Sequence, residues 1–225
     1  RMLPEQVWKI PEYGTFNLHA SLLPQYRGAA PINWAVINGE KITGVTTFFI
    51  DQKIDTGKLI LQKELPIDEC ENAGDVHDKL MTAGAELVLN TLEQIREGNL
   101  TPIPQPEDQG LKQAPKLTKE NTRIDWKNSI FEIFDFIRGL SPFPTAWTIL
   151  ENGNDILNIK IYASEKEIIS HEFETGKLIQ EGKQLKIAVS EGFIFLKEIQ
   201  LPGKKKMKIK EFLNGYKIFS NAKVV

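Results

Sequence analysis

Asn17-Leu18-His19-Ala20-Ser21-Leu22-Leu23-Pro24-Gln25-Tyr26-Arg27-Gly28, with Ile54-Asp55-Thr56-Gly57 farther on, decides how this chain is read. Gly14 breaks the chain just before it, and residues 15–19 have the makings of a short strand. Side chains alternate across a strand, so Asn17 and His19 share one face while Phe16 and Leu18 share the other. A polar face backed by an apolar one fits a strand end that opens into a crevice, as at the carboxyl ends of strands in α/β sheets. Residues 43–50, rich in β-branched and aromatic side chains, predict a second strand. It leads into a polar loop, residues 51–57, that can carry Asp55 back toward His19.

The residue types suggest proton transfer around a polarised carbonyl. His19 is of the type that exchanges a proton near neutral pH. A carboxylate such as Asp55 would fix its tautomer and favour the imidazolium. The amide of Asn17 cannot exchange protons but can donate to a developing oxyanion, an interaction worth about 3 kcal/mol in other enzymes. No Cys or Lys in the motif presents itself as a covalent nucleophile, so the set suits direct attack of an amine on a carbonyl. A Ser21, His19, Asp55 hydrolase is the sharp rival, but Ser21 lacks the Gly-x-Ser-x-Gly elbow that exposes a nucleophile.

Asn-x-His followed by Ser-Leu-Leu-Pro-x-Tyr-Arg-Gly, with the later Asp-Thr-Gly, resembles the signature of the 10-formyltetrahydrofolate-dependent formyltransferases. The resemblance continues through Ala114-Pro115-Lys116-Leu117-Thr118-Lys119, Ile124-Asp125-Trp126, Arg138-Gly139-Leu140-Ser141-Pro142-Phe143-Pro144 and Pro202-Gly203-Lys204-Lys205-Lys206-Met207. Thr145 departs from it, standing where the pattern leads to Gly. The resemblance implies Asn17, His19 and Asp55 as the catalytic set. It places Ser21, Leu22, Leu23 and Pro24 against the folate. It further implies 10-formyltetrahydrofolate as formyl donor and the methionine amino group of initiator tRNA as acceptor. A nucleotide-linked amino sugar or water would be the alternative acceptors within the same chemistry. A nucleic-acid-binding module without catalysis is the alternative of a different class.

The implied architecture is α/β: the C-terminal part of a doubly wound formyltransferase domain, followed by a small OB-like β-barrel domain. Domain boundaries are expected at residues 1–100, with a Pro-rich linker at 101–117 and the second domain at 118–225. Residue 1 enters directly into sequence that the family places after several strand-helix units, so an N-terminal portion of the domain is expected to precede this chain.

Local patterns fill in the elements. A helix is expected over residues 31–38, with Pro31 in its first turn. Residues 58–66 predict a strand. Residues 72–97 predict a long helix with Asn72 as N-cap, Gly98 as stop, and Val76, Leu80, Ala83, Leu87, Thr91 and Ile95 along one face. His77 on that helix is read as a surface or packing residue. Residues 128–139 predict a short helix with Ile130, Phe131, Phe134 and Ile137 inward. Runs at 146–150, 156–162, 176–180, 185–189 and 193–199 predict the strands of a small barrel or sandwich.

Composition bounds the partners. The chain has 225 residues, 41% hydrophobic and 26% charged, as ordinary soluble domains do, and no apolar run long enough for a membrane span. One cysteine, Cys70, cannot form an internal disulfide and fits a cytoplasmic protein. Three scattered histidines give no metal-binding pattern. A monomer without metal or membrane association is expected. Residues 1–115 carry 10 Lys and Arg against 16 Asp and Glu, a formal −6, while residues 116–225 carry 18 against 14, a formal +4. That asymmetry suggests a polyanion partner for the second half, with Lys204, Lys205, Lys206, Lys208 and Lys210 as the concentrated charge. Charge alone leaves a solvated loop equally open. The resemblance points Lys204, Lys205, Lys206 and Lys208 toward tRNA phosphates.

Overall fold

The computed structural model describes residues 3–106 and 110–225. Residues 1–2 and 107–109, and with them the very start of the first expected domain and the middle of the Pro-rich segment, lie outside the described residues. The chain divides into two units. The first holds residues 1–35 and 40–116, the second residues 36–39 and 117–225.

The first unit begins with a single helical turn, α1 (Glu5–Trp8), and the strand β1 (Phe16–His19). A two-residue strand β2 (Arg27–Gly28) leads into α2 (Pro31–Ile37), whose last two residues belong to the second unit. Then come β3 (Ile42–Phe49), β4 (Leu59–Pro66), the long helix α3 (Ala73–Glu97) and the short β5 (Gln113–Ala114). β1, β3 and β4 form an antiparallel sheet in that order, with His19 opposite Thr46 and Asn17 opposite Phe48. The run of β-branched and aromatic residues that predicts β3 is buried nearly throughout, because both of its faces are covered. On one face packs α3, with Thr91 on Thr47; on the other packs the loop of residues 21–24, with Leu22 against Gly44 and Ser21 and Leu23 bonded to Thr46.

The expected caps of α3 are present. The Asn72 side chain accepts from the Gly74 and Asp75 N–H groups, Asp75 answers to the Asn72 N–H, and Gly98 ends the helix at φ +71°. Val76, Leu80, Ala83, Leu87 and Thr91 are buried along one face, and Ile95 is partly so, as the spacing predicts. Leu18 packs onto this helix at Gly84, so the apolar side of β1 faces α3.

The second unit starts with a 3-10 turn (Glu120–Thr122) and α4 (Ile130–Gly139), capped by Ser129 and Glu132 in a reciprocal box. The strands are β6 (Ala146–Asn152), β7 (Asp155–Ile168), β8 (Leu178–Glu181), β9 (Gln184–Val189), β10 (Gly192–Gln200) and β11 (Met207–Lys208). After them come α5 (Ile209–Gly215) and β12 (Lys223–Val224). The order β12-β6-β7-β10-β9-β8 is antiparallel throughout, with β11 on β10. The sheet closes on itself where Leu178 N–H donates to Ala222 O and Val224 N–H donates to Gly176 O. A barrel-like sheet therefore surrounds a core of Leu150, Ile159, Ile161, Leu185, Ile187, Ile194, Leu196 and Ile199, and α4 packs against β7 and β10.

Two local expectations change. The buried stripe of α4 is Ile130, Ile133 and Ile137, whereas Phe131 is 50% exposed and Phe134 only partly buried. Positions i, i+3 and i+7 meet the barrel, which leaves Phe131 on the flank, where the Lys166 ammonium lies over both rings. β7 runs to Ile168, well past the expected end at residue 162, because its polar continuation pairs with residues 192–196 of β10. Ser164, Glu165, Lys166 and Glu167 carry no apolar alternation that would announce a strand.

The departure at Thr145 has a structural counterpart. Its φ is +82°, in the left-handed region that favours glycine, and its hydroxyl donates to Pro142 O at 2.9 Å. Thr145→Gly relieves the backbone and loses the hydroxyl bond, so its unfolding free energy is expected within about 1 kcal/mol of the parent. Thr145→Val keeps the strain and loses the hydroxyl bond to Pro142 O, for an expected loss of about 1 kcal/mol. Urea denaturation of both variants checks this, and a Val variant as stable as Gly would refute it.

Candidate active site

β1 and the loop after β3 bring the three predicted side chains to one end of the first sheet. His19 closes β1 and is buried, 7% exposed, with its ring edge-on to Phe48. Its Nε2 lies 2.8 Å from the backbone carbonyl of Tyr26. A carbonyl only accepts, so Nε2 carries the hydrogen and Nδ1 is the nitrogen left to exchange a proton. Nδ1 stands 3.8 Å from Asp55 Oδ2. At that separation the two share no direct hydrogen bond, and they attract as an ion pair only when Nδ1 holds a proton.

Asp55 sits at φ +56°, uncommon for a residue with a side chain. Its Oδ2 also accepts from Gly28 N–H at 3.0 Å. Asn17, exposed on the same strand as His19, accepts the Leu18 N–H on its Oδ1 at 2.9 Å, which leaves the amide NH2 outward as a donor. Asn17 and Asp55 line a cleft of about 310 Å3 together with Phe48, Ile50, Ile54, Asp51 and Lys53, while His19 is not part of the lining but lies 3.8 Å from the Asp55 carboxylate. Apolar walls with a few convergent polar groups suit a small carbonyl-bearing group.

Two glycines of the motifs are dictated by space. A Cβ on Gly28, at φ +126°, would lie 2.5 Å from Ala114 O, and one on Gly57 would lie 1.6 Å from Phe49 O. The loop of Ser21, Leu22, Leu23 and Pro24 is braced from within. Thr46 Oγ1 donates to Ser21 O at 2.6 Å and accepts from Leu23 N–H, and Gln62 Nε2 donates to Leu23 O at 2.9 Å. Gln25 N–H donates to Leu22 O. The Leu23–Pro24 peptide bond is cis. The fully buried Ser21 hydroxyl donates to Gln25 O at 2.6 Å, so it is turned into its own loop and away from His19, which disfavours the hydrolase alternative.

Tyr26, Glu40 and Gln105 are polar groups of this site that the sequence did not announce. Tyr26, at φ +60°, is held by its hydroxyl on Glu40 Oε1 at 2.5 Å and by its N–H on Lys112 O at 2.7 Å. Burial works against the Glu40 charge, but hydrogen bonds from Lys112 and Tyr26 and the Lys112 charge outweigh it and hold the carboxyl below the usual carboxylate range. A lowered folded-state value means that this contribution is complete at neutral pH and disappears as pH falls through it. The only sequence signal for Tyr26 is its place inside the quoted motif, and for Gln105 its isolation between Pro104 and Pro106.

On the second unit, the turn between β10 and β11 presents Lys204, Lys205 and Lys206, and β11 presents Lys208, all exposed. Lys206 pairs with Glu198 at 2.7 Å, while Lys204, Lys205 and Lys208 make no ion pair among the described residues. His77 is exposed beside Asp78. No described group of three or more His, Cys, Asp or Glu side chains is arranged to hold a metal, and no described helix is long and apolar enough to cross a membrane.

The chain belongs to the formyl transferase family. Residues 1–92 match the formyl transferase model, and residues 116–217 match the formyl transferase C-terminal domain. It is 55% identical over 224 residues to the methionyl-tRNA formyltransferase of Flavobacterium johnsoniae, with 100% of this chain and 71% of that protein covered. It is 54% identical to the methionyl-tRNA formyltransferase of Flavobacterium psychrophilum, over 96% of this chain and 68% of that one. Among solved structures, HypX from Aquifex aeolicus in complex with tetrahydrofolic acid shares the fold. Its TM-score is 0.69 at 23% identity, covering 97% of this chain and 38% of that one.

Proposed function

We infer that the protein carrying this chain transfers a formyl group from 10-formyltetrahydrofolate to the amino group of methionine on initiator tRNA. The observation that carries the chemistry is the fixed imidazole: Nε2–H of His19 donates to Tyr26 O, which leaves Nδ1 on the side of Asp55. The acceptor is supported by 50–55% identity to several methionyl-tRNA formyltransferases. The folate supplies its formyl group as a carbonyl on nitrogen. Asn17 donates through its free NH2 to the formyl oxygen as charge develops there. His19, oriented by Tyr26 and paired with Asp55, accepts a proton from the attacking amine and returns it to the departing folate nitrogen. One carbon–nitrogen bond forms as the other breaks, and no redox change is involved. Ser21, Leu22, Leu23 and Pro24 form the wall against the folate, a role supported by the internal bracing that keeps their loop in shape.

In this reading residues 1–100 belong to the catalytic domain, 101–117 to the linker and 118–225 to an OB-like domain that grips tRNA. The single, exposed Cys70 suits the cytoplasm. The test is mass analysis of the aminoacyl group after incubating the full-length protein with 10-formyltetrahydrofolate and methionyl initiator tRNA. One added formyl group supports the reading. Formate release without an amine, or transfer to a nucleotide-linked amino sugar instead, would replace the acceptor.

The lysine turn has its own test. Replacing Lys204, Lys205 and Lys208 with Ala weakens tRNA binding and flattens the plot of log affinity against log salt by about 0.7–0.9 for each phosphate that is no longer neutralised. Filter binding between low and physiological salt reads the slope, and an unchanged slope removes the turn from the interface.

A further inference from the structure

We propose that Gln105 is a positioning residue that holds Asp55 in place beside His19, the proton carrier of the proposed reaction. The proposal rests on the functional reading above and adds a residue to it. Gln105 lies between residues 92 and 116, outside both matched family models. It is 9% exposed, and all four of its hydrogen-bonding positions are used. Nε2 donates to Asp55 O at 2.9 Å and to Gly57 O at 2.8 Å. Oε1 accepts from Arg27 Nε at 3.0 Å and Nη2 at 2.6 Å. Two carbonyls on one side and a guanidinium on the other leave only one orientation of the amide.

The backbone carrying this amide is itself anchored. Ile103 and Leu59 exchange both N–H···O bonds, and prolines flank Gln105 on either side. The amide thus grips the loop on which Asp55 adopts φ +56°. It grips Arg27 as well, and the next residue, Gly28, donates its N–H to the Asp55 carboxylate. Backbone and carboxylate of Asp55 are therefore fixed from one point, 50 residues away in sequence. A residue in sparsely populated backbone space persists only where its surroundings over-determine it, and here Gln105 supplies that restraint.

The experiment is a double-mutant cycle in the full-length protein with Gln105→Met, Gln105→Glu and Asp55→Asn. Met removes every polar contact at similar length. Glu keeps the Arg27 contact but sets a carboxylate against two carbonyls. Both are expected to lower kcat about 10–100-fold with KM for both substrates within about threefold, the mark of an interaction felt in the transition state. In the Asp55→Asn background the same substitutions cost less than about threefold, because Gln105 acts through Asp55. Full additivity, or a Glu variant with parental kcat, overturns the proposal. The Glu variant decides the matter if the Met variant does not fold. Full activity of Asp55→Asn would sink the reading of the whole site, whereas an Asp55→Asn of reduced but measurable rate, with no coupling to Gln105, would sink only the role of Gln105.

Discussion

Replacing His19 with Gln lowers the turnover of formyl transfer about 10²–10⁴-fold while leaving the protein folded. The choice of Gln follows from the geometry. Its side-chain NH2 can reach the position of Nε2 and keep the hydrogen bond to Tyr26 O, so no buried carbonyl is stranded. What disappears is the basic nitrogen facing Asp55 at 3.8 Å. His19→Ala, by contrast, removes both, and about 1–3 kcal/mol of stability with them. Steady-state rates on the full-length protein, beside a urea melt of each variant, separate the two effects. Near-normal turnover of the folded Gln variant would end the role of His19 as the proton carrier.

Gly57→Ala is expected to cost about 3 kcal/mol or more of stability and most of the activity, although the backbone conformation of Gly57 is not itself restricted to glycine. The added Cβ would lie 1.6 Å from Phe49 O and 2.8 Å from Phe49 C. Phe49 cannot yield easily, because its N–H is bonded to Lys58 O and its strand is paired on both sides. The loop must move instead, and it carries Asp55 and the Gly57 carbonyl that Gln105 holds. Gly98→Ala is the control. It places a Cβ in open space at φ +71°, so it costs only about 1 kcal/mol for the left-handed backbone. Denaturation midpoints of the two variants decide the point, and a Gly57 variant no weaker than the Gly98 variant would show that the close approach is relieved cheaply.

The grouping of the candidate site was partly legible in the residues. Asn17, His19 and Asp55 were singled out from residue type and spacing, and the fold brings His19 and Asp55 within 3.8 Å with Asn17 on the same cleft as Asp55. The nitrogen of His19 that remains free was not legible, because a ring tautomer is set by whichever carbonyl the fold brings to it. Tyr26 is seven residues away and turns its carbonyl there only because Glu40 and Lys112 hold it at a positive φ. Gln105 carried no signal beyond its prolines. Its partners lie 48, 50 and 78 residues away, and nothing local distinguishes it from any other surface amide.

By itself the sequence determined what neighbours along the chain can enforce. The apolar stripe of α3 and each of its caps, the β-branched run of β3, the position of β1 and each of the two segments of the family motif were set within their own stretch of chain. Capping, alternation and helical periodicity are short-range interactions, and each leaves its pattern in the segment that uses it. Tertiary structure alone decided the pairing of β2 with β5, the closure of the barrel by β12, the inward stripe of α4 and the length of β7. It also decided the clamp of Gln105 on Asp55. Each of these matches a backbone or side-chain group with a partner distant in sequence, and such a match depends on which surfaces the packed core brings together.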